Sequence, residues 1–387
     1  MNDWCPVTER ALDFSLAPFV LLIEGEEREM KLDIPYASID EQIQKLESQN
    51  LIIDDRRMAA QLLQIYGYSN LIKSYREPYI IVNKEGKKIY RNGITFQHIS
   101  SLYLLDKNLR NAIMASMLDL EEHIKELSAD VIASSFGTDP DIYLAWRNYR
   151  DKKKTKSRFT LDSVLKTIKN HLNTDKNPVA HYREKYGIVP PWILFKSLYF
   201  STIINFIDKF KHKEKRKLAL LLYDAQELGL GDEAIIKLMA DTLSICSDYR
   251  NTAAHGGRIY NHIPKSDLRD EEIFGRTLNM AGIGQLLFLL SLLKYETPYV
   301  RLKRTLQTEL SRHCGKYPED ITYISQIIRM NIEAVDIVYV TSKSNKYHKN
   351  PHCSGLNDAK QIDIREAIEK KYEPCKKCFG SNATGIN

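Results

Sequence analysis

The chain has 387 residues, and 56 Lys and Arg stand against 50 Asp and Glu, for a net charge of +6. A hydrophobic share of 43% supports a packed core and excludes wholesale disorder, while the mild positive balance admits nucleic acid as a partner. The most apolar run, "GQLLFLLSLLKY" from Gly284 to Tyr295, is about half the ~20 residues a membrane-spanning helix needs, and "MNDWCPVTER" lacks the basic-then-apolar order of a signal peptide. The expectation is a cytoplasmic protein with no membrane partner.

In chain order, the segment Pro18 to Tyr36 reads as extended. A helix starts after Ser38, which can cap it with Glu41 three residues on. "RRMAAQLLQIYGYSNLIKSY" reads as a second helix broken near Gly67. "YIIVNKEGKKIYRNG" reads as a hairpin turning at Glu85-Gly86. From Ile99 to Ser134, Leu102, Leu105, Leu109, Ile113, Met117, Leu120, Ile124 and Leu127 recur at three- and four-residue steps, the pattern of a long core-facing helix. "PPWILFKSLYFSTIINFIDKF" reads as one helix opening on Pro190-Pro191. Asp232 to His255 is a further helix, with Asp232 as cap and Gly256-Gly257 as stop. "GQLLFLLSLLKY" and "RLKRTLQTELSRH" continue the helical series.

Two stretches are strongly basic: Lys152 to Lys156, and Lys209 to Lys217. Such runs are usually solvated faces. Lys152, Lys153, Lys154, Lys213, Lys215 and Arg216 are the candidates for contact with RNA phosphates.

The stretch "SDYRNTAAHGGRIYN" groups Arg250, Asn251 and His255 at a helix end. Four helical steps return to within about 40° of the same direction, so Asn251 and His255 share a face; five steps set Arg250 about 140° from His255. One helix therefore does not naturally aim both at one point: either the long Arg250 side chain wraps round, or two copies supply the groups jointly, and the geometry favours a composite site at a two-fold axis. The chemistry suits a phosphodiester. His255 can move a proton near neutral pH, Arg250 offers a fork of donors to phosphate oxygens, and Asn251 can orient the imidazole or hold an oxygen. With an RNA 2′-hydroxyl as internal nucleophile, this reading requires no catalytic metal. Spacing alone favours helix capping or a satisfied core histidine over catalysis.

Three of six cysteines fall in the last 35 residues, and the order of residues there suggests metal more than disulfide. Cys353, Cys375 and Cys378 with His348 make a closed tetrahedral set for a structural zinc. His352 is the alternative fourth ligand, disfavoured because it adjoins Cys353. A "PCKKC" knuckle, two β runs around Ser344-Asn345 and a short helix capped from Asp363 to Glu366 complete a small α+β module whose folding the metal would support.

Five stretches in order carry a resemblance: "EQIQKLESQNLII", "YGYSNLIKSYREPY", "FQHISSLYLLDKNLRNAIMASMLDLEEHIK", "HYREKYGIVPPWILFKSLYFSTI" and the Arg250–His255 segment. Together they resemble the Abi (AbiD/AbiF-like) abortive-infection family of the HEPN superfamily. The resemblance implies a mainly α fold, RNA cleavage by Arg250 and His255 with Asn251 assisting, dimeric assembly, and a toxin role in antiphage defence. Arg258 would then bind phosphate or hold structure. Lys196 stands where the family pattern has an acid, and Ser201 where it has glycine. The C-terminal segment resembles a small Ada-like zinc module. The expected organisation is an N-terminal extension at 1–36, an Abi/HEPN helical domain with a β-hairpin insertion at 37–312, a linker helix at 313–335 and a zinc module at 336–387. The alternative function is a non-catalytic RNA-binding protein that forms a ribonucleoprotein with a structured small RNA.

Overall fold

The computed structural model describes residues 35–151, 159–329, 337–342, 344–348, 350, 352–353, 356 and 358–379. The extension expected at 1–36 lies almost wholly outside these residues, as do Lys152, Lys153 and Lys154.

The first helix, α1 (Ile39–Ser48), starts on the expected capping box: the Ser38 N–H donates to Glu41 Oε2 at 2.6 Å, and the Glu41 N–H returns to Ser38 Oγ at 3.3 Å. Helix α2 (Arg56–Tyr66) is capped by Asp55 and ends at Gly67; a π-helical turn, Ser69–Lys73, follows. Strands β1 (Ile80–Val82) and β2 (Lys88–Tyr90) form the expected antiparallel hairpin, with Ile80 opposite Tyr90. Asn83 Oδ1 accepts the N–H groups of Glu85 and Lys87 and so fixes the turn.

The axis of the fold is α3 (Phe96–Phe136), 41 residues long and capped by Thr95. Seven of its eight periodic apolar positions, Leu102 through Ile124, are buried, and Leu127 packs beside them. Each such burial stabilises by about 1.5–3 kcal/mol, so the pattern alone gives this helix a strong reason to lie at the centre. Short α4 (Pro140–Tyr143), α5 (Leu161–Leu172) and α6 (Val179–Tyr186) follow.

The single helix expected after Pro190 is instead broken. Helix α7 (Pro191–Leu194) runs into a 3₁₀ turn, Phe195–Ser197; the backbone extends at Leu198 and Tyr199, and α8 (Phe200–Asp208) begins. The break lets Phe195, Leu198 and Phe200 all enter the core, and Phe195 meets Phe206 edge-on at 5.7 Å. Bulky aromatic residues give up side-chain freedom in a helix, so burial outweighs continuity here.

Helices α9 (His212–Leu222), α10 (Asp232–Ala254), α11 (Asp270–Phe274), α12 (Gly282–Ser291) and α13 (Thr297–Lys316) complete the bundle. Helices α13, α10, α9 and α7 pack on α3. Asp232 does not cap α10; Gly231 holds that position, and the Asp232 carboxylate pairs with Arg216. Residues 313–329, read from sequence as linker, comprise the last turn of α13, a 3₁₀ turn (Pro318–Asp320) and α14 (Ile321–Ile328), whose Ile324 and Ile328 belong to the main core.

The C-terminal unit has its own small core of Val338, Val340, Tyr347 and Ala367. Strand β3 (Ile337–Val340) pairs antiparallel with β5 (Lys360–Asp363), and β4 (Lys346–Tyr347) pairs parallel with β6 (Glu373–Pro374). Short α15 (Ile364–Glu369) and α16 (Lys376–Phe379) complete it. Among the described residues, no helix is long and apolar enough to cross a membrane.

Candidate functional site

Helix α10 delivers Arg250 and Asn251 in its last turns, and His255 stands just beyond as its C-cap. Asn251 and His255 are exposed, and Arg250 is half-buried. The His255 side chain makes no hydrogen bond among the described residues, whereas its N–H donates to the Asn251 carbonyl at 3.0 Å. The Asn251 amide does not orient the imidazole: its Oδ1 accepts from Arg250 Nη1 at 3.5 Å. Arg250 turns toward α3, where Nη2 lies 4.0 Å from Glu121 Oε2; its Nε is buried without a hydrogen-bond partner. The expected split between the arginine and histidine directions thus appears as an arginine facing α3 and a histidine facing solvent.

The two glycines after His255 do different work. Gly256 has φ +71°, which an L side chain rarely adopts, and so ends the helix. Gly257 is excluded from carrying a side chain by space: a Cβ there would lie 2.7 Å from Thr252 Cγ2 and 3.1 Å from the Thr252 carbonyl oxygen.

Beyond the glycines, the chain is fastened to α3 by Asp106. Its Oδ1 accepts the N–H of Ile259 at 2.8 Å and of Tyr260 at 2.7 Å; its Oδ2 accepts the Tyr75 hydroxyl at 2.6 Å and Arg110 Nη1 at 3.0 Å. Burial pushes the Asp106 carboxyl above its ordinary range, against the pull of these four donors. Arg110 also reaches the carbonyls of Gly256 and Gly257, each at 3.4 Å. Arg258 donates to the Ser74 carbonyl at 2.8 Å, which gives it a structural contact although it is exposed. Asp248 accepts from or pairs with His262 Nε2 at 2.8 Å. Asp106, Arg110, Glu121 and the Asp248–His262 pair are the residues that sequence reasoning did not single out; the signal available for the first two is the run "LYLLDKNLR".

Beside Glu121 opens a cleft of about 700 Å³ lined by Leu118, Glu121, Glu122, Lys125, Trp192 and Lys196, among others. Lys125 Nζ holds Glu121 Oε1 at 2.7 Å. Lys196 lines the same cleft as the α3 carboxylates Glu121 and Glu122, and no ion pair joins it to them among the described residues.

The basic stretch on α9 is mostly neutralised from within. Lys209 is buried at 2% exposure, with Nζ 3.2 Å from Asp208 Oδ2. Lys215 Nζ lies 3.6 Å from Asp208, Arg216 Nε lies 2.5 Å from Asp232, and Lys217 donates to Ser134. Of the three α9 candidates, Lys213 is exposed and is the one with no ion pair among the described residues.

In the C-terminal unit, His348, Cys353, Cys375 and Cys378 converge, with ligand atoms all within 4.8 Å of one another. Cys353 Sγ and Cys375 Sγ are 4.0 Å apart, and Cys378 Sγ and His348 Nδ1 are 3.9 Å apart. A tetrahedral ion with sulfur at ~2.3 Å sets such neighbours roughly 3.8 Å apart, so the four residues fit a metal ion. The backbone positions them: His348 and Tyr339 exchange N–H and carbonyl bonds, the Cys375 N–H donates to Tyr347, and the Cys378 N–H donates to Cys375. Burial and the charge of Lys346 push the His348 imidazole down, toward the neutral form a metal requires. Burial raises the Cys375 thiol, but the N–H groups of Cys378 and Lys377 together with the Cys353 and Cys378 thiols hold it below its ordinary value. His352 is exposed and stands outside the cluster.

A family model described as Abi-like protein matches residues 61–261, just over half of the chain. The match contains four of the five resembling stretches, together with Asp106, Arg110 and the whole Arg250–His255 segment. No curated protein and no solved structure matches the chain.

Proposed function

The chain belongs to the Abi-like protein family, whose character fits abortive infection, and from that premise we propose that it is a HEPN-type endoribonuclease toxin that arrests phage-infected cells. The observation that supports this most is the group at the end of α10: a guanidinium with an unpartnered Nε, an amide, and a solvent-facing imidazole, on a chain segment clamped to α3 by Asp106. In this reading, the RNA 2′-oxygen attacks the adjacent phosphorus and the bond to the 5′-oxygen breaks. One His255 accepts the 2′-hydroxyl proton. The His255 of a second copy, across a two-fold axis, returns a proton to the leaving 5′-oxygen. Arg250 neutralises charge on the non-bridging oxygens. The products are a 2′,3′-cyclic phosphate and a 5′-hydroxyl, and the scheme needs no catalytic metal.

His348, Cys353, Cys375 and Cys378 would hold a zinc ion that closes the C-terminal unit. A filled four-ligand site supplies folding energy and offers no open position to substrate.

The test compares wild type with Arg250→Ala and His255→Ala on total bacterial RNA in EDTA, reading cleavage and end chemistry. Cyclic phosphate ends from the wild type and a loss of about 10²–10⁴-fold in His255→Ala are expected. RNA that co-purifies uncut by any of the three proteins would reject the nuclease and favour a ribonucleoprotein.

A further inference from the structure

A second group of metal-type ligands lies deep in the helical body, far in sequence from the cysteines. His98 is in the first turn of α3, His313 in the last turn of α13, and Asp320 at the end of the following 3₁₀ turn. All three are buried, at 2%, 1% and 3% exposure. Both Nε2 atoms lie 3.0 Å from the same oxygen, Asp320 Oδ2, and the Tyr79 hydroxyl donates to that oxygen at 2.6 Å.

We propose that His98 Nε2, His313 Nε2 and Asp320 Oδ2 bind one divalent first-row metal ion, of which zinc is the best match, with Tyr79 holding the carboxylate in place.

Three observations carry this. The first is charge. Among the described residues, Asp320 has ion pairs with the two histidines and with no lysine or arginine. The carboxylate is held by two imidazoles and one hydroxyl, and a divalent cation would neutralise its buried charge. The second is the far side of each imidazole. His313 Nδ1 lies 2.9 Å from Ser101 Oγ, and His98 Nδ1 lies 3.7 Å from Glu319 Oε1. Outer partners of this kind orient metal-bound histidines. Each 3.0 Å gap between an Nε2 and Asp320 Oδ2 holds either a proton or a shared cation. The third is enclosure: Tyr317 stacks on His98 at 3.9 Å and Tyr79 lies against it at 4.6 Å, which fixes the ring in place. Two imidazoles and a carboxylate form a set that suits zinc. Bonds of ~2.0–2.1 Å would place the ligand atoms roughly 3.3 Å apart, so loading opens the present 3.0 Å separations only slightly. The ion would join α3, α13 and the 3₁₀ turn after α13, with the segment before β1 attached through the Tyr79 bond to Asp320, 241 residues away in the chain.

The experiment measures metal per chain on full-length protein after dialysis against zinc and then metal-free buffer. The variant Cys375→Ser/Cys378→Ser removes the C-terminal ligands. It should retain one zinc per chain, and adding His313→Gln should abolish that zinc. A cysteine variant that is folded and metal-free overturns the proposal. X-ray absorption at the zinc edge of the unmutated protein decides the case even where the variants fail to fold. A population of zinc bound only by nitrogen and oxygen is expected, whereas sulfur around every zinc would mean that His98, His313 and Asp320 form a metal-free network of neutral imidazoles.

Discussion

Replacing Asp106 with asparagine tests how the segment after His255 is held. Four donors converge on this carboxylate: the N–H groups of Ile259 and Tyr260, the Tyr75 hydroxyl and Arg110. Asparagine keeps one oxygen, which can still serve both N–H groups. Its NH₂ group then faces the Tyr75 hydroxyl and Arg110, so two charge-assisted bonds disappear. The tyrosine can turn to accept, and Arg110, at 13% exposure, can relax only partly toward solvent. At about 1.5–3 kcal/mol for each bond to a charged group, the expected loss is roughly 3–5 kcal/mol. It should be read as a lower denaturant midpoint at constant slope. Hydrogen exchange at the Ile259 and Tyr260 amides should accelerate more than at the middle of α3. A loss under about 1 kcal/mol, or unchanged exchange at those two amides, would refute the view that Asp106 is the anchor.

Gly257→Ala should destabilise by about 1–3 kcal/mol, because its Cβ overlaps a packed methyl. Thr252→Ser in the same chain removes that methyl and should recover part of the loss in the same denaturation assay. In RNA binding, Lys213→Glu should weaken affinity and reduce the salt slope by about one phosphate contact. Arg216→Ala should change the slope little, since Asp232 already occupies that guanidinium; equal effects from the two would contradict the assignment. A metal held by His348, Cys353, Cys375 and Cys378 would be removed by chelation, and amide protection across β3 to β6 should then fall. His348→Ala should mimic chelation and His352→Ala should not, as followed by hydrogen exchange.

Periodicity made α3 readable, because Leu102 to Ile124 repeat at helical steps and one face must be buried. The capping box at Ser38 and the His348–Cys378 cluster were readable for a related reason: their residue types and spacings are themselves the interaction. The break at Leu198 was not, because a segment apolar on every side satisfies a helix and an extended backbone equally well. The pairing of Lys215 and Arg216 was hidden because their partners sit on α8 and α10, and charge runs carry no record of what lies opposite. Asp106 was hidden more deeply. Two of its partners are backbone N–H groups, which any residue except proline would supply, so no side chain at 259 or 260 announces them.

The anchoring by Asp106 also bears on the order in which the molecule is made. Its bonds to Ile259 and Tyr260 span 153 and 154 residues. A nascent chain can complete α3 long before those amides emerge, and closing so wide a loop is an entropic cost met only when both ends are present. A chain truncated at Ala254 could form most of α10 yet would lack the clamp, and with it the fixed exit of the backbone past His255. The fixed exit of the backbone past His255 thus depends on bonds that only a chain extending to residue 260 can make.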